Sequence, residues 1–230
     1  MAASATLFVL GAYPGGDPSV VNHEIRGDWS QTVLCRLDGE QELYCEPGRF
    51  VWKTSNVSVE TRRPVRARGD ASRGRGLLGR ALSAPAGRIP GSASSPSLPH
   101  FRATEASGLC AFTGPAPGKV RQIELDAART WIVAREAFVA AEGTVGFRLE
   151  PGAGKNSEAR ELVRFAGPGS LFIAAGGTFL DLNPADYGGE IHADVGAVIA
   201  FEDGVGLTVG DGRGFPVATL RGDGKVLLRA

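Results

Sequence analysis

The feature that most constrains this chain is a 19-residue pattern that occurs three times without a gap. The copies are LYCEPGRFVWKTSNVSVET (Leu43–Thr61), WIVAREAFVAAEGTVGFRL (Trp131–Leu149) and IHADVGAVIAFEDGVGLTV (Ile191–Val209). When the copies are aligned, seven of the 19 columns are apolar in all three. In a chain with 43% hydrophobic residues, chance would give only about one or two such columns. The pattern therefore indicates one supersecondary unit that is built three times.

Each copy predicts three strands separated by turns. Columns one and three are apolar and alternate with other residues, as on a strand with one buried face, and columns 15 and 17 repeat this alternation. Columns eight to ten, such as Phe138–Ala140, are uninterrupted apolar runs and predict a strand that is buried on both faces. The glycine content, 33 of 230 residues, disfavours long helices because an interior glycine costs a helix about 1 kcal/mol.

A second match connects the copies. FAGPGSLFIAA (Phe165–Ala175) aligns with LRGDGKVLLRA (Leu220–Ala230), with glycines at the same two positions. Both are interpreted as hairpins around a Gly-x-Gly turn, and a related hairpin is predicted from Phe101 to Thr113. Since this unit precedes the second and third copies and recurs after the third, we expect the last strands to complete the first copy. The predicted fold class is all-β, a closed pseudo-threefold antiparallel β-sandwich or barrel with few free edges.

The net charge of zero hides an uneven distribution along the chain. Residues 62–102, called the basic segment below, contain nine arginines and one aspartate, so they carry +8 and the remainder carries −8. Gly, Ser, Pro and Arg dominate this segment, which predicts a flexible loop at 62–100 inside a single domain at 21–230. Residues 1–20 are a separate N-terminal extension. Whether it adds a strand is open, because Thr6–Val9 resembles Ser170–Ile173.

The clustered arginines favour contact with an anionic partner, because cations release counterions from phosphates and are attracted to acidic lipids. The candidate contact residues are Arg62, Arg63, Arg66, Arg68, Arg73, Arg75 and Arg80. Three interpretations stay open: a solvated insertion that only balances the acidic body, docking to an anionic membrane or a protein partner, and nucleic-acid binding. No aromatic residue lies between Trp52 and Phe101, which disfavours recognition of single strands by base stacking.

The sequence offers no catalytic, cofactor-binding or metal-binding motif. GAGKN (Gly152–Asn156) lacks both the first glycine and the closing Ser or Thr of a phosphate-binding loop. His23, His100 and His192 are far apart and have no second ligand type at metal spacing, which favours surface or hydrogen-bonded histidines. We therefore expect a protein that is not an enzyme and that uses no cofactor and no metal.

The compartment is predicted from the cysteines and the amino terminus. Cys35, Cys45 and Cys110 are too few and too scattered for a disulfide framework, which is typical of a reducing interior. No basic residue precedes Arg26, which argues against a signal or transit peptide, and no run approaches 18 apolar residues. We expect a soluble cytoplasmic protein, with peripheral contact to a membrane as an open alternative.

Four stretches together resemble one family in their order and spacing. They are QTVLCRLDGEQELYCEPGRFVWKTSNVSVETR, GLLGRALS, AAGGTFLDL and GAVIAFEDGVGL. Over about residues 21–230 the chain resembles the family of the altered-inheritance-of-mitochondria protein, known in bacteria as a domain of unknown function. The resemblance implies a fold similar to that of the tryptophan RNA-binding attenuation protein. It also implies a link to mitochondrial biogenesis for the eukaryotic member and no established activity for bacterial members.

Two functions from different classes follow. The first is a non-enzymatic β-scaffold or interaction protein that docks to membrane or protein partners through the arginine-rich loop. The alternative is a module that binds RNA or another nucleic acid, for which likeness of fold is weak support. Because a closed fold leaves few edges to cover, we expect a monomer.

Overall fold

The computed structural model describes residues 20–67, 96–104, 106–153, 160–211 and 215–230. These residues form 19 β-strands and three short 3₁₀ turns, and none of them is in an α-helix, so the all-β prediction is confirmed. The strands are β1 (Asn22–Arg26), β2 (Thr32–Leu37), β3 (Glu42–Cys45), β4 (Phe50–Lys53), β5 (Val57–Arg62), β6 (Leu98–Ala103), β7 (Gly108–Thr113), β8 (Gly118–Leu125), β9 (Thr130–Ala134), β10 (Phe138–Glu142), β11 (Gly146–Ala153), β12 (Arg160–Ala166), β13 (Gly169–Gly176), β14 (Phe179–Leu182), β15 (Glu190–Asp194), β16 (Val198–Glu202), β17 (Val205–Asp211), β18 (Pro216–Gly222) and β19 (Val226–Arg229). The 3₁₀ turns are Arg135–Ala137, Pro184–Tyr187 and Val195–Ala197.

The strands form four antiparallel sheets. Their strand orders are β1-β2-β7-β4, β5-β6-β3-β10-β13-β8, β11-β12-β9-β16-β19-β14 and β15-β18-β17. Each sheet ends in two outer strands, so within the described ranges none closes into a barrel, and the predicted closure is wrong. The physical reason is that β18 pairs with β15 and β17, and β19 pairs with β14 and β16. The last strands therefore complete the third copy rather than the first.

The two predicted Gly-x-Gly hairpins and the related hairpin predicted from Phe101 to Thr113 are also wrong, because each is a corner between sheets. β12 pairs with β9 and β11, whereas β13, the next strand, pairs with β8 and β10. The same change of sheet occurs from β6 to β7 and from β18 to β19. Gly167 and Gly169 have φ values of +112° and +133° in the corner after β12. Positive φ lets the backbone turn out of one sheet and into the next.

The three aligned segments fold into comparable strands. They form β3-β4-β5, β9-β10-β11 and β15-β16-β17, and each middle strand has a register shift after its first residue, at Phe50, Phe138 and Val198. The first strand of one segment pairs with the middle strand of the next, as β3 does with β10 and β9 does with β16. We call these two pairings the internal seams. They join the segments into continuous six-stranded sheets.

The basic segment leaves and re-enters the fold through paired strands. β5 ends at Arg62 and β6 begins at Leu98, and these two residues are the last partners of the β5–β6 ladder. Beyond Arg62 the chain follows β11, because the Phe147 N–H donates to the Val65 carbonyl at 2.6 Å. Residues 68–95 lie outside the described residues, as does the N-terminal extension up to residue 19.

Candidate functional site

A cleft of about 500 Å³ opens where the basic segment leaves the sheet. It lies at one end of the β3–β10 seam, and Arg62, Arg63 and Val65 form one of its walls. The remaining lining residues are Val21, Asp38, Glu40, Gln41, Glu42, His100, Glu142, Gly143 and Thr144. The cleft thus combines basic, acidic and imidazole side chains from four strands and their turns.

Strand register brings Glu42, His100 and Arg62 together. Leu43 of β3 faces Phe101 of β6, so Glu42 and His100 occupy diagonal positions on the same face. His100 Nδ1 and Glu42 Oε1 are 2.8 Å apart, and Arg62 Nη2 donates to Glu42 Oε2. Both carboxylate oxygens of Glu42 are therefore engaged by cationic or hydrogen-bonding partners.

The environment of Glu42 alters its acidity. Burial favours the neutral acid, but the bonds from His100 and Arg62 outweigh it, so the pKa of Glu42 lies below its usual value. His100 is 6% exposed and stacks near Tyr44, with ring centroids 5.4 Å apart. Its Nε2 is buried and has no hydrogen-bond partner among the described residues. This network connects β3, β5 and β6 at the point where the basic segment leaves and re-enters the sheet.

Glu142, at the back of the cleft, binds backbone rather than solvent. Its side chain is buried, and Oε1 accepts hydrogen bonds from the N–H groups of Val21 at 3.1 Å and Ser170 at 3.0 Å. A carboxylate that accepts backbone N–H groups fastens the corner before β13 to the end of β10. We assign Glu142 a structural role on this geometry.

A second cleft of about 450 Å³ lies at the corresponding end of the β9–β16 seam. Glu202 lines it and accepts a hydrogen bond from the Lys225 N–H at 2.8 Å, just as Glu142 does from Ser170. Asn183 also lines it and accepts the Gly224 N–H at 3.2 Å. The second cleft has no counterpart of His100 among its lining residues.

The structure separates the remaining candidate residues. Two carboxylates that share the fourth column of the aligned copies are also apart: Glu46 pairs with Arg135 at 3.0 Å across the β3–β10 seam, whereas Asp194 is exposed on β15. His23 contacts the ring of Phe172, and His192 is exposed on β15. Across the described ranges, no group of three or more His, Cys, Asp or Glu side chains could hold a metal ion.

The three cysteines are buried and unbonded. Burial raises the pKa of Cys45 and of Cys110 to about 12, and it raises the pKa of Cys35 well above its usual value. Thiols in this state stay protonated near neutral pH and are poor nucleophiles. Cys35 of β2, Cys45 of β3 and Cys110 of β7 fill volume in the hydrophobic core.

Of the predicted contact arginines, the structure describes Arg62, Arg63 and Arg66. Arg62 is held by Glu42, and Arg63 and Arg66 are exposed where the chain passes β11. The others, Arg68, Arg73, Arg75 and Arg80, lie in the part of the basic segment outside the described residues. Sequence reasoning missed the Glu42–His100 pair, and the only signal for it was a histidine between the apolar residues Leu98 and Phe101 of β6.

The chain was compared with known protein families and with solved structures. The family described as "Mitochondrial biogenesis AIM24" matches residues 23–230. This chain belongs to the AIM24 family. The crystal structure of protein SPYM3_0169 from Streptococcus pyogenes is similar in fold, with a TM-score of 0.68 at 18% identity. The match covers 91% of this chain and 93% of that one. A comparison with curated protein sequences found no significant match.

The described part of this AIM24-family chain contains no helix with the length and apolar character needed to cross a bilayer.

Replacing Glu42 with glutamine tests the hydrogen-bond network in the cleft of this chain. Because the pKa of Glu42 is lowered in the folded state, its ionised form stabilises the protein above the unfolded value of about 4.5. That contribution is lost as the pH falls through 4.5 and then through the folded pKa. At pH 7 we expect Glu42→Gln to lower the free energy of unfolding by about 1–3 kcal/mol. The difference between variant and wild type is expected to shrink below pH 4.5.

Urea denaturation at several pH values measures this effect. Glu40→Gln is the matched control, because the Glu40 side chain is 92% exposed although it also pairs with an arginine, Arg102. The control is expected to change stability by no more than about 0.5 kcal/mol at any pH. A Glu42→Gln effect that is equal at pH 7 and pH 3 would contradict the role of the ionised carboxylate.

Proposed function

We propose that this AIM24-family protein is a non-enzymatic β-scaffold that docks to an anionic membrane surface through its basic segment. The observation that carries the proposal is the β5–β6 ladder, whose last partners are Arg62 and Leu98. The stretch between these two partners, residues 63–97, contains seven arginines and one aspartate, a net charge of +6, and both of its ends leave from one point at the edge of a sheet. Because both ends start at the same edge, we expect an anionic surface to approach the molecule from that edge.

The charges near the root of the segment support this direction of docking. Glu42 neutralises Arg62, whereas Arg63 and Arg66 are exposed beyond the end of β5. Each basic residue near an acidic lipid surface contributes about 1 kcal/mol of attraction. The remainder of the chain carries −8, so an anionic surface favours contact through the basic segment alone.

We further propose that the scaffold consists of three equivalent units in a pseudo-threefold arrangement, like the fold implied by the family resemblance. Two features support the equivalence besides the shared register shift. The first is the same strand pairing at both internal seams. The second is a side-chain oxygen in the last or the next residue of each middle strand, on Thr54, Glu142 and Glu202. It accepts a backbone N–H from a residue within or directly before the strand that follows the corner.

Vesicle co-sedimentation tests the docking proposal. Full-length protein is mixed with vesicles that contain either neutral lipids only or a fraction of acidic lipids. A triple variant with Arg68, Arg73 and Arg75 changed to glutamine is expected to lose about 3 kcal/mol of attraction, or about 100-fold in partitioning onto acidic vesicles. Binding of the wild type is expected to weaken with added salt and to be absent on neutral vesicles.

The control removes the same charge from the folded body instead, by changing Arg26, Arg36 and Arg129 to glutamine. It is expected to bind acidic vesicles nearly as well as the wild type. Equal losses in both triple variants would contradict docking through the basic segment. Preferential binding of the wild type to added RNA over acidic vesicles would favour the nucleic-acid alternative.

A further inference from the structure

Each of the two outer segments lacks one of the seam pairings that the middle segment makes on both sides. At the internal seams, a first strand (β3 or β9) pairs with a middle strand (β10 or β16). One middle strand, β4, and one first strand, β15, have no such partner among the described residues. β4 is an outer strand of the four-stranded sheet, and β15 is an outer strand of the three-stranded sheet.

Exposure of the equivalent residues follows the missing pairing. In β10, Phe138, Val139 and Ala140 are each 0% exposed. The aligned residues of β4 are exposed by 40% at Phe50, 49% at Val51 and 42% at Trp52. In the first strands, Tyr44 is fully buried within β3, whereas the aligned His192 of β15 has a side chain that is 61% exposed. Large apolar side chains on a free edge are unusual in a monomer, because such an edge pairs readily with another chain.

The internal seams define how β4 and β15 would pair. Ala140 faces Cys45 in one seam, and Ala200 faces Val133 in the other. The aligned pair is Trp52 with Ala193. In each seam the residue after the middle strand donates to the residue that begins the first strand, as Gly143 N does to the Glu42 carbonyl and Asp203 N does to the Thr130 carbonyl. The aligned bond runs from Ser55 N to the Glu190 carbonyl.

Charge is complementary in this register. Lys53 of β4 falls opposite His192, so Glu190 and Asp194 take the two diagonal positions on the same face. The ammonium group of Lys53 and the carboxylates at the two diagonal positions have opposite charges, which is favourable across an antiparallel strand pair. The aligned bond at the other end of the pairing runs from Asp194 N to the Val51 carbonyl, as Glu46 N bonds the Val139 carbonyl at 3.1 Å.

We propose that β4 of one molecule pairs with β15 of a second copy of this chain and forms a third seam. The inference rests on the three equivalent units proposed above. The surface is heterologous, because β4 and β15 are different strands, so association runs head to tail and generates closed rings or open filaments. This assembly replaces the monomer expected from a closed fold. Within it, each interior β4 edge pairs with the β15 edge of the neighbouring molecule.

Two single substitutions each block one side of the third seam. Trp52→Glu places a charge in the apolar centre of the β4 surface. Asp194→Pro removes the N–H that the seam uses, and the φ of −60° at Asp194 already suits proline. Each is expected to weaken association by about 30-fold or more. The controls are Val59→Glu, at a 42% exposed apolar position outside the seam, and Asp194→Asn, which keeps the N–H.

Light scattering on size-exclusion fractions of full-length protein measures the mass over a range of concentrations. We expect assemblies for the wild type and both controls, and single chains for Trp52→Glu and Asp194→Pro. Mixing the two blocked variants is expected to give 1:1 heterodimers, because one keeps a working β15 and the other a working β4. A wild type that stays monomeric at millimolar concentration, or blocked variants that do not combine, would overturn the proposal. Vesicle binding is read separately, so its loss with intact assembly would overturn the docking proposal alone.

Discussion

Replacing Phe138 with alanine is expected to lower the free energy of unfolding by about 3–5 kcal/mol, the usual cost of removing a fully buried phenylalanine. The Phe138 ring is 0% exposed and lies 4.8 Å from the ring of Phe165 and 6.1 Å from that of Phe147, measured between centroids. It also lies 5.8 Å from Tyr44, which belongs to β3 on the other side of the internal seam. The cavity would therefore weaken both the core and the junction between two segments. Chemical denaturation followed by tryptophan fluorescence measures the loss.

Phe50→Ala is the matched control for this prediction. Phe50 occupies the aligned position in β4 and also packs against two rings, those of Phe101 and Phe112, but it is 40% exposed. Both variants are compared in chains that also carry Asp194→Pro, in which no second copy covers β4. Since less apolar surface is removed from water at Phe50 in such single chains, we expect a loss of no more than about 2 kcal/mol. Equal losses of unfolding free energy for the two variants would mean that the internal seam adds nothing to the stability that the Phe138 ring contributes.

The strands could be predicted from the sequence because alternation reports which faces of a strand are buried. The apolar run Phe138–Ala140 lies in β10, which extends to Glu142. Strand pairing could not be predicted in the same way, because every strand edge presents the same backbone N–H and C=O groups. The pattern around Gly167 and Gly169 is therefore compatible with both a hairpin and a corner between sheets. The mistaken closure has the same origin, since it depended on which strands β18 and β19 would join.

The cleft shows where sequence reasoning stopped. Glu42 and His100 are 58 residues apart and meet only because Leu43 of β3 pairs with Phe101 of β6. The sequence favoured a surface or hydrogen-bonded position for His100. It could not predict the hydrogen-bond partner, because the partner depends on the register of two distant strands. Arg62 was expected to contact an external anion, whereas the structure gives it Glu42.

Replacing Gly222 with alanine is the second substitution with a large expected effect. Gly222 ends β18 at the corner that leads to β19, and its φ of +127° is one that residues with a Cβ rarely adopt. A Cβ there would also overlap the carbonyl oxygen of Gly204, which is backbone and has no rotamer with which to move away. Backbone strain and overpacking together predict a loss of about 2–5 kcal/mol in the free energy of unfolding.

Gly206→Ala, on the neighbouring strand β17, separates the corner from a general effect of adding a methyl group. A Cβ at Gly206 meets only the Arg221 carbonyl oxygen, at an ordinary 3.8 Å. Because alanine also reduces the freedom of the unfolded chain, we expect this variant to differ from the wild type by less than about 1 kcal/mol. Denaturation curves of the two variants measure the difference in their free energies of unfolding. If Gly222→Ala were as stable as Gly206→Ala, the chain could leave β18 without a left-handed residue. The positive φ would then not be what carries the chain from one sheet to the next.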